Sequence, residues 1–191
     1  MNRLGQVPSG ATLFMIMILL CFFASGCAQK KLKNEIFTQL ERQSFVSLER
    51  LYTESSSALE LSKIAKGILV FPKVSDIGFM LGGQHGEGAM LVDGKLYGYY
   101  NISSAYFGWL LFGSQSYSIA MFIMTDNALY HLQKSSSWQF GAGLKTVFAG
   151  KGIARSGTMN DDVYVFIYGQ KGMMLDLGRL EGTMIRKIEN Q

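Results

Sequence analysis

Cys27 is the residue whose setting most clearly predicts chemistry. An apolar run, ATLFMIMILLCFFA (residues 11–24), follows Arg3 and leads into Ser25-Gly26-Cys27. The run has the length of a secretory signal, because a helix that spans a bilayer needs about 20 apolar residues. Small residues end the run directly before a cysteine. We therefore predict that residues 1–26 are a signal peptide that is removed before Cys27.

This arrangement resembles the leader of bacterial lipoproteins, in which the cysteine is acylated, for example with palmitate, and becomes the first mature residue. An ordinary cleaved signal and an uncleaved anchor are the alternatives. Several acyl chains hold a protein stably at a bilayer, at about 0.8 kcal/mol per buried methylene. The resemblance implies a protein anchored through Cys27 at the periplasmic face of the envelope, with residues 27–33 as its tether. Ala28 resembles the outer-membrane sorting pattern if the cell is Gram-negative.

The remaining residue pattern argues against catalysis and against a metal or cofactor. His85 and His131 fall in different predicted elements, and no HExxH or CxxC spacing supplies the ligands of a zinc site. Asp161 and Asp162 lie in a polar loop, but two adjacent carboxylates are too few ligands for calcium. No Gly-x-Ser-x-Gly elbow is present, and no cysteine nucleophile survives the predicted maturation. We therefore predict a protein that is not an enzyme.

Composition and charge limit the classes of binding partner that the chain could have. The chain has 191 residues, is 48% hydrophobic and carries a formal charge of +4, so it has room for one domain with an ample core. It has no dense Lys/Arg stripe of the kind that binds nucleic acid. Lys63, Lys66 and Lys73 flank Pro72 and are predicted to gather at one end of a sheet. There they would bind lipid phosphate groups as point charges, and ordinary solvated lysines are the alternative.

The glycine-rich segment GGQHGEG, residues 82–88, superficially suggests a phosphate loop. Such loops lead into a helix, whereas the residues that follow, Ala89–Val92, favour a strand. Two apolar segments precede the glycines: Ile68–Phe71, which Pro72 is expected to end, and Ile77–Leu81. The glycines are therefore interpreted as sites of bending or of close backbone approach in a sheet.

The surrounding elements predict an α+β fold that is mainly antiparallel. An amphipathic helix over residues 32–52 either covers the core or lies in the membrane interface, and Ser55–Ser57 would cap a second helix that ends at Gly67. Asp93-Gly94 predicts a hairpin turn, and Thr125-Asp126 predicts a cap for a short inserted helix. The later strands, separated by a turn at residues 169–172, suggest a strongly bent sheet or a barrel-like domain. They are Val163–Tyr168, Met173–Leu177 and Thr183–Ile188.

Several blocks resemble the SYLF domain family, in the right order and over residues 51–188. They are AKGILVFPKV, GFMLGGQHGEGAML, GYYNISSAYFG, SYSIAMFIMTDNAL and the element that begins at Trp138. The resemblance implies that residues 34–191 form a SYLF domain that binds phosphoinositides or other anionic lipids. Bacterial members are commonly envelope lipoproteins, which agrees with the leader. Actin binding, which some fungal members show, is not transferred, because most bacteria lack that partner.

Two functions remain open at this point. The first is a lipid-binding module held at the envelope by its acyl anchor, which recognises anionic head groups or an acyl chain inside the barrel. The second is a structural or protein-interaction lipoprotein, which would bind an unidentified envelope protein and meet lipid only incidentally.

Overall fold

The computed structural model describes residues 34–79, 81–107, 113–139, 145–148, 163–172 and 183–188. The chain divides into two units, Met1–Gln39 and Leu40–Gln191. The described residues of the first unit, 34–39, are helical, and the packing described below concerns the second unit. The predictions for the leader, for Cys27, for the tether at residues 27–33 and for Asp161-Asp162 lie outside the described residues.

The described residues contain three helices and eight strands, joined by turns. The helices are α1 (residues 34–54), α2 (Ser56–Ser62) and α3 (Asp126–Lys134). The strands are β1 (Gly67–Phe79), β2 (Leu81–Val92), β3 (Lys95–Phe107), β4 (Gly113–Ile123), β5 (Ser137–Gln139), β6 (Lys145–Phe148), β7 (Val163–Gly172) and β8 (Met184–Ile188).

The strands form one sheet in the order β5-β8-β3-β2-β1-β4-β7-β6. Neighbouring strands are antiparallel except for β6 and β7, which are parallel. The predicted α+β class with a mostly antiparallel sheet is therefore confirmed. No pairing between described residues joins the outer strands β5 and β6, so the described strands form an open sheet and the barrel-like closure stays a prediction.

The helix boundaries follow from their caps. Ser55 accepts a hydrogen bond from the Ala58 N–H through its hydroxyl (3.2 Å), which confirms the predicted N-cap of α2. Thr125 caps α3 in the same way through Ala128 (3.2 Å). α2 ends at Ser62, earlier than predicted. The chain must turn there, because the Lys66 N–H already donates to the carbonyl of Ile123 at the end of β4 (2.7 Å).

The prediction that Pro72 ends its strand is wrong. β1 runs through Pro72, and its pairing with β2 and with β4 shifts register on either side of this residue. A proline fits within a sheet at such a bulge, because it has no N–H to donate. The Pro72 carbonyl still accepts a hydrogen bond from the Ser118 hydroxyl (2.9 Å). The bulge therefore replaces the expected strand end.

The turn predicted at residues 169–172 is also wrong, because these residues belong to β7. Gly169 has a φ of 65°, and the pairing of β7 with β4 shifts register between Ser116 and Ser118. The irregularity in β7 thus lies at the same height in the sheet as the one at Pro72, with β4 between the two strands. A line of bulges across neighbouring strands bends a sheet.

The Pro72 bulge divides the sheet into two halves. The lower half contains residues 67–71 of β1 and the residues paired with them, and the upper half contains residues 73–79 and their partners. The α3 face is the side of the sheet that packs against Ala128, Leu129 and Leu132 of α3. The α1–α2 face is the side that packs against Leu48, Leu51 and Ala58.

Both faces of the lower half carry apolar core. Leu69 and Phe71 belong to the α3 face, and Val70 belongs to the α1–α2 face, with each side chain fully buried. The buried stripe of α1 also includes Ser44 and Ser47. The hydroxyls of Ser47 and Tyr168 are 2.8 Å apart and share a hydrogen bond, which ties α1 to β7.

The predicted hairpin turn is confirmed, with φ values of 50° at Asp93 and 71° at Gly94. The glycine-rich segment is also confirmed as a site of close backbone approach. A Cβ atom on Gly88 would lie 2.3 Å from the carbonyl oxygen of Val70, and one on Gly86 would lie 2.8 Å from that of Lys73. All of residues 82–88 lie within β2. They therefore do not form a loop that leads into a helix.

Candidate functional site

The structure brings Lys63 and Lys66 to the same end of the sheet but not Lys73. Lys63 caps α2 and pairs with Glu60 (2.7 Å), and Lys66 directly precedes β1 and pairs with Asp126 (3.5 Å). Lys73 lies seven residues further along β1, which at about 3.3 Å per residue is roughly 20 Å away. We call the end at which β1 begins the lower end of the sheet.

The turn from α2 into β1 combines basic and apolar side chains at the surface. Leu59 is 40% exposed and Ile64 is 64% exposed, and they lie close in sequence to Lys63 and Lys66. We call these four residues the corner. A surface of this kind suits the boundary between lipid head groups and acyl chains, where lysine places its stem on apolar material and its charge in water.

Sequence reasoning did not single out Leu59 and Ile64. The helix predicted to end at Gly67 would contain Ile64, whereas α2 ends at Ser62 and leaves Ile64 exposed in the turn. The only sequence signal was the alternation of apolar and basic residues before Gly67. That signal gives no indication of exposure until the end of the helix is known.

Basic residues predominate among the described charges at the lower end. The acidic residues there are Glu60, Asp93 and Asp126, against five lysines whose side chains the structure describes, so the count for these side chains is 5 − 3 = +2. A modest positive field of this kind attracts anionic surfaces. The basic residues are Lys63, Lys66, Lys95, Lys134 and Lys187.

The α3 face of the upper half is buried, and beyond the apolar Val74 it carries a row of polar side chains. Asp76 pairs in register with Gln84 on one side and Gln115 on the other, so all three side chains project from the same face. Each is less than a tenth exposed. Because a buried polar group costs free energy when it is unpaired, this row requires partners.

Hydrogen bonds join the row across the sheet. Gln115 donates to the Asp76 carboxylate (3.1 Å) and accepts from Gln170 (2.8 Å). Gln84 donates to the Thr183 hydroxyl (2.6 Å) and accepts from the Tyr117 hydroxyl. These side chains bond to one another, and the row is best explained as a polar layer that holds the upper ends of the strands together.

Sequence reasoning missed this layer as well. Asp76, Gln84 and Gln115 are isolated polar residues in three different segments. Only the register of β1 with β2 and β4 shows that they form one row.

The two histidines remain apart in the structure. His85 is exposed in β2, on the α1–α2 face of the upper half, and His131 is exposed on α3 beside the ring of Tyr130. Over the ranges that the structure describes, no three His, Cys, Asp or Glu side chains form a group that could hold a metal ion.

Comparison with models of known protein families and with curated proteins finds no match for this chain. The resemblance to the SYLF family therefore rests on the sequence blocks given above. None of the described helices is both long enough and apolar enough to cross a bilayer.

Proposed function

We propose that this protein is a non-catalytic lipid-binding lipoprotein of the bacterial envelope, with a SYLF-type domain that recognises anionic lipid head groups. The observation that carries the proposal is the corner, where exposed Leu59 and Ile64 accompany Lys63 and Lys66 at one end of the sheet. The resemblance to the SYLF family and the leader ending at Cys27 support it independently.

Each contact at the corner is weak by itself. A basic residue near an anionic membrane surface contributes about 1 kcal/mol. An acyl anchor at Cys27 would keep the domain at a high effective concentration beside the bilayer, so weak contacts would suffice. The lysines would bind phosphate groups, and the apolar side chains would enter the interface.

Head-group recognition is better supported than an acyl chain held inside the domain. In the lower half, the α3 face is filled by its own buried side chains, including Leu69, Phe71 and Met121. We also propose that the domain is strongly bent and barrel-like. The irregularities at Pro72 and Gly169 and the close approach at Gly88 support bending along one line.

Acylation is tested by metabolic labelling with a fatty-acid precursor. We expect label on the wild-type protein and on Cys21→Ala, and none on Cys27→Ala. Label that survives Cys27→Ala, or a wild-type protein without label, would overturn the anchor.

Head-group binding is tested with the full chain carrying Cys27→Ala and with vesicles of phosphatidylglycerol and phosphatidylcholine. Vesicles of phosphatidylcholine alone measure the contribution of the apolar leader, which all variants share. Lys63→Glu/Lys66→Glu should abolish the extra binding to anionic vesicles. The matched control Lys73→Glu/Lys171→Glu makes the same change of charge in the upper half, and this variant should retain most of the extra binding to anionic vesicles. Equal binding to both kinds of vesicle would contradict the proposal.

A second function, binding of an envelope protein, is favoured by one separate observation. Ile77 is 64% exposed on the α1–α2 face of the upper half, where its register partners are Ser114 and Gly83. A photo-crosslinker at Ile77 should then capture one protein in stoichiometric yield from intact cells. Capture of lipid alone, or of many proteins at low yield, would argue against this function.

A further inference from the structure

We infer that the corner is one part of a longer docking rim, which seats the lower end of the sheet on an anionic bilayer so that the strands rise away from the membrane. This inference rests on the proposed function and specifies which surface meets the lipid. The rim consists of the corner together with Tyr97, Tyr130, Lys134 and Lys187.

The rim continues from the corner onto α3. Lys66 pairs with Asp126, the first residue of α3, and a Cβ atom on the neighbouring Gly67 would lie 3.1 Å from Leu129 of the same helix. Asp126, Tyr130 and Lys134 follow one another at intervals of four residues and therefore share one side of α3. All three are exposed.

Two tyrosine–lysine pairs form the remainder of the rim. Lys134 places its Nζ atom 5.9 Å from the ring centre of Tyr130, and Lys187 places its Nζ atom 4.8 Å from that of Tyr97. The two tyrosines are 56% and 41% exposed. The Lys187 N–H donates to the carbonyl of Ser136, two residues beyond the end of α3 (3.2 Å), so the two pairs lie close together.

The chemistry of these pairs suits a bilayer surface. Tyrosine combines an apolar ring with a polar hydroxyl, and it is enriched where lipid head groups meet acyl chains. A lysine above each ring adds a charge that a lipid phosphate would neutralise. The rim extends over α2, α3, β3 and β8, so its contacts match a surface of many head groups rather than one soluble phosphate compound.

The orientation is tested with single fluorescent labels and brominated lipids, which quench a label that reaches the membrane. The full chain carries Cys21→Ser and Cys27→Ser, so that each introduced cysteine is the only thiol. It is added to vesicles of brominated phosphatidylcholine with phosphatidylglycerol, and to the same vesicles without phosphatidylglycerol. Labels replace Ile64 at the corner, His131 beside Tyr130, or Ile77 in the upper half. Ile64 and Ile77 are matched, since each is 64% exposed.

We expect strong quenching at positions 64 and 131 in anionic vesicles, weak quenching without phosphatidylglycerol, and little quenching at position 77 in either. Quenching at position 64 but not at 131 would overturn the rim and leave the proposed function intact. Equal quenching at 64 and 77 would overturn the upright orientation. Absence of anion-dependent quenching at every position would contradict the proposed function itself.

The tyrosines are tested separately in the chain labelled at position 131. Tyr97→Ala/Tyr130→Ala should lower the apparent affinity for anionic vesicles on the order of tenfold, because two exposed cation–π and interfacial contacts are lost. Tyr97→Phe/Tyr130→Phe keeps both rings and should lower it by less than about threefold. An unchanged affinity in the alanine variant would remove the tyrosines from the rim. Circular dichroism of each variant checks that the fold is retained.

Discussion

The two halves of the sheet share the same strands but are built from different chemistry. In the lower half both faces are apolar, and helices cover each of them. In the upper half one face buries the row that contains Asp76, Gln84 and Gln115, and the other exposes Lys73, Ile77 and His85. The half with the most buried apolar surface is therefore the one that adjoins the proposed docking rim, and it would hold the exposed side chains of the rim on a rigid support.

The comparison separates two sources of stability. Burial of apolar surface, which contributes about 25 cal/mol per Å², stabilises the lower half without requiring exact partners. The polar layer of the upper half is stabilising only while its members stay paired, since a buried polar group that loses its partner costs about 1–3 kcal/mol. Substitutions should consequently act by different mechanisms in the two halves.

The largest effect is expected where the two halves meet. Gly88→Ala would place a methyl group 2.3 Å from the Val70 carbonyl oxygen, so β1 and β2 would have to separate. We expect a loss of about 3 kcal/mol or more in the free energy of unfolding, measured by urea denaturation. Gly98→Ala is the control, because its nearest neighbour, Cε of Lys187, would be 3.7 Å away. Similar losses in both variants would show that close approach at Gly88 is not the cause.

The next largest effect tests the polar layer. Gln84→Leu removes the partner of both the Tyr117 hydroxyl and the Thr183 hydroxyl, and it should cost about 2–4 kcal/mol. Tyr117→Phe should then cost less in the Gln84→Leu background than in the wild type, because the hydroxyl has already lost this bond. Additive costs in the double-mutant cycle would indicate that the two side chains are not coupled.

A smaller effect depends on pH. Burial raises the pKa of Tyr100 on the α3 face and of Tyr168 on the α1–α2 face, each to about 12. Unfolded tyrosine has a pKa near 10, so ionisation of these two hydroxyls leaves the free energy of unfolding unchanged below about pH 10 and lowers it as the pH rises towards 12.

Urea denaturation from pH 8 to pH 12 measures this loss. In Tyr168→Phe the decline above pH 10 should be shallower than in the wild type. At pH 8 the two proteins should differ only by the hydrogen bond to Ser47, which is worth about 1 kcal/mol. Parallel curves over the whole range would contradict the assignment of alkaline unfolding to Tyr168.

The smallest effect on stability is expected at the lower end. The Lys66–Asp126 pair is exposed and 3.5 Å long, so Asp126→Asn should change the free energy of unfolding by less than about 0.5 kcal/mol. The same change removes a negative charge beside the proposed rim and should strengthen binding to anionic vesicles. Weaker binding would show that Asp126 positions Lys66 rather than competing with lipid for it.

The sequence predicted the lower half better than the upper half. Apolar segments such as Ile68–Phe71 have a hydrophobic pattern that marks a strand, and Ser55 and Thr125 mark helix starts through local capping. Pro72 and Gly169 led to wrong predictions of a strand end and a turn. Each residue is accommodated in its strand by a bulge that depends on the neighbouring strands. Such tertiary accommodation leaves no local signature.

The candidate site was predicted in part for the same reason. Lys63 and Lys66 are neighbours in sequence and remain neighbours in the structure, whereas Lys73 is separated from them by the length of an extended strand. Tyr97 and Tyr130 were not singled out, because their relation to the corner depends on the packing of α3 and the pairing of β3 with β8.

The position of β1 between β2 and β4 has a consequence for how the chain folds. β1, β2 and β3 follow one another as adjacent hairpins, but Ile68 also pairs with Phe122, which is 122 − 68 = 54 residues later. Local hairpins close faster than contacts across long loops. While the chain folds, the edge of β1 that pairs with β4 therefore stays unpaired until β4 is formed, and during this interval the chain is most open to misassembly with its own copies.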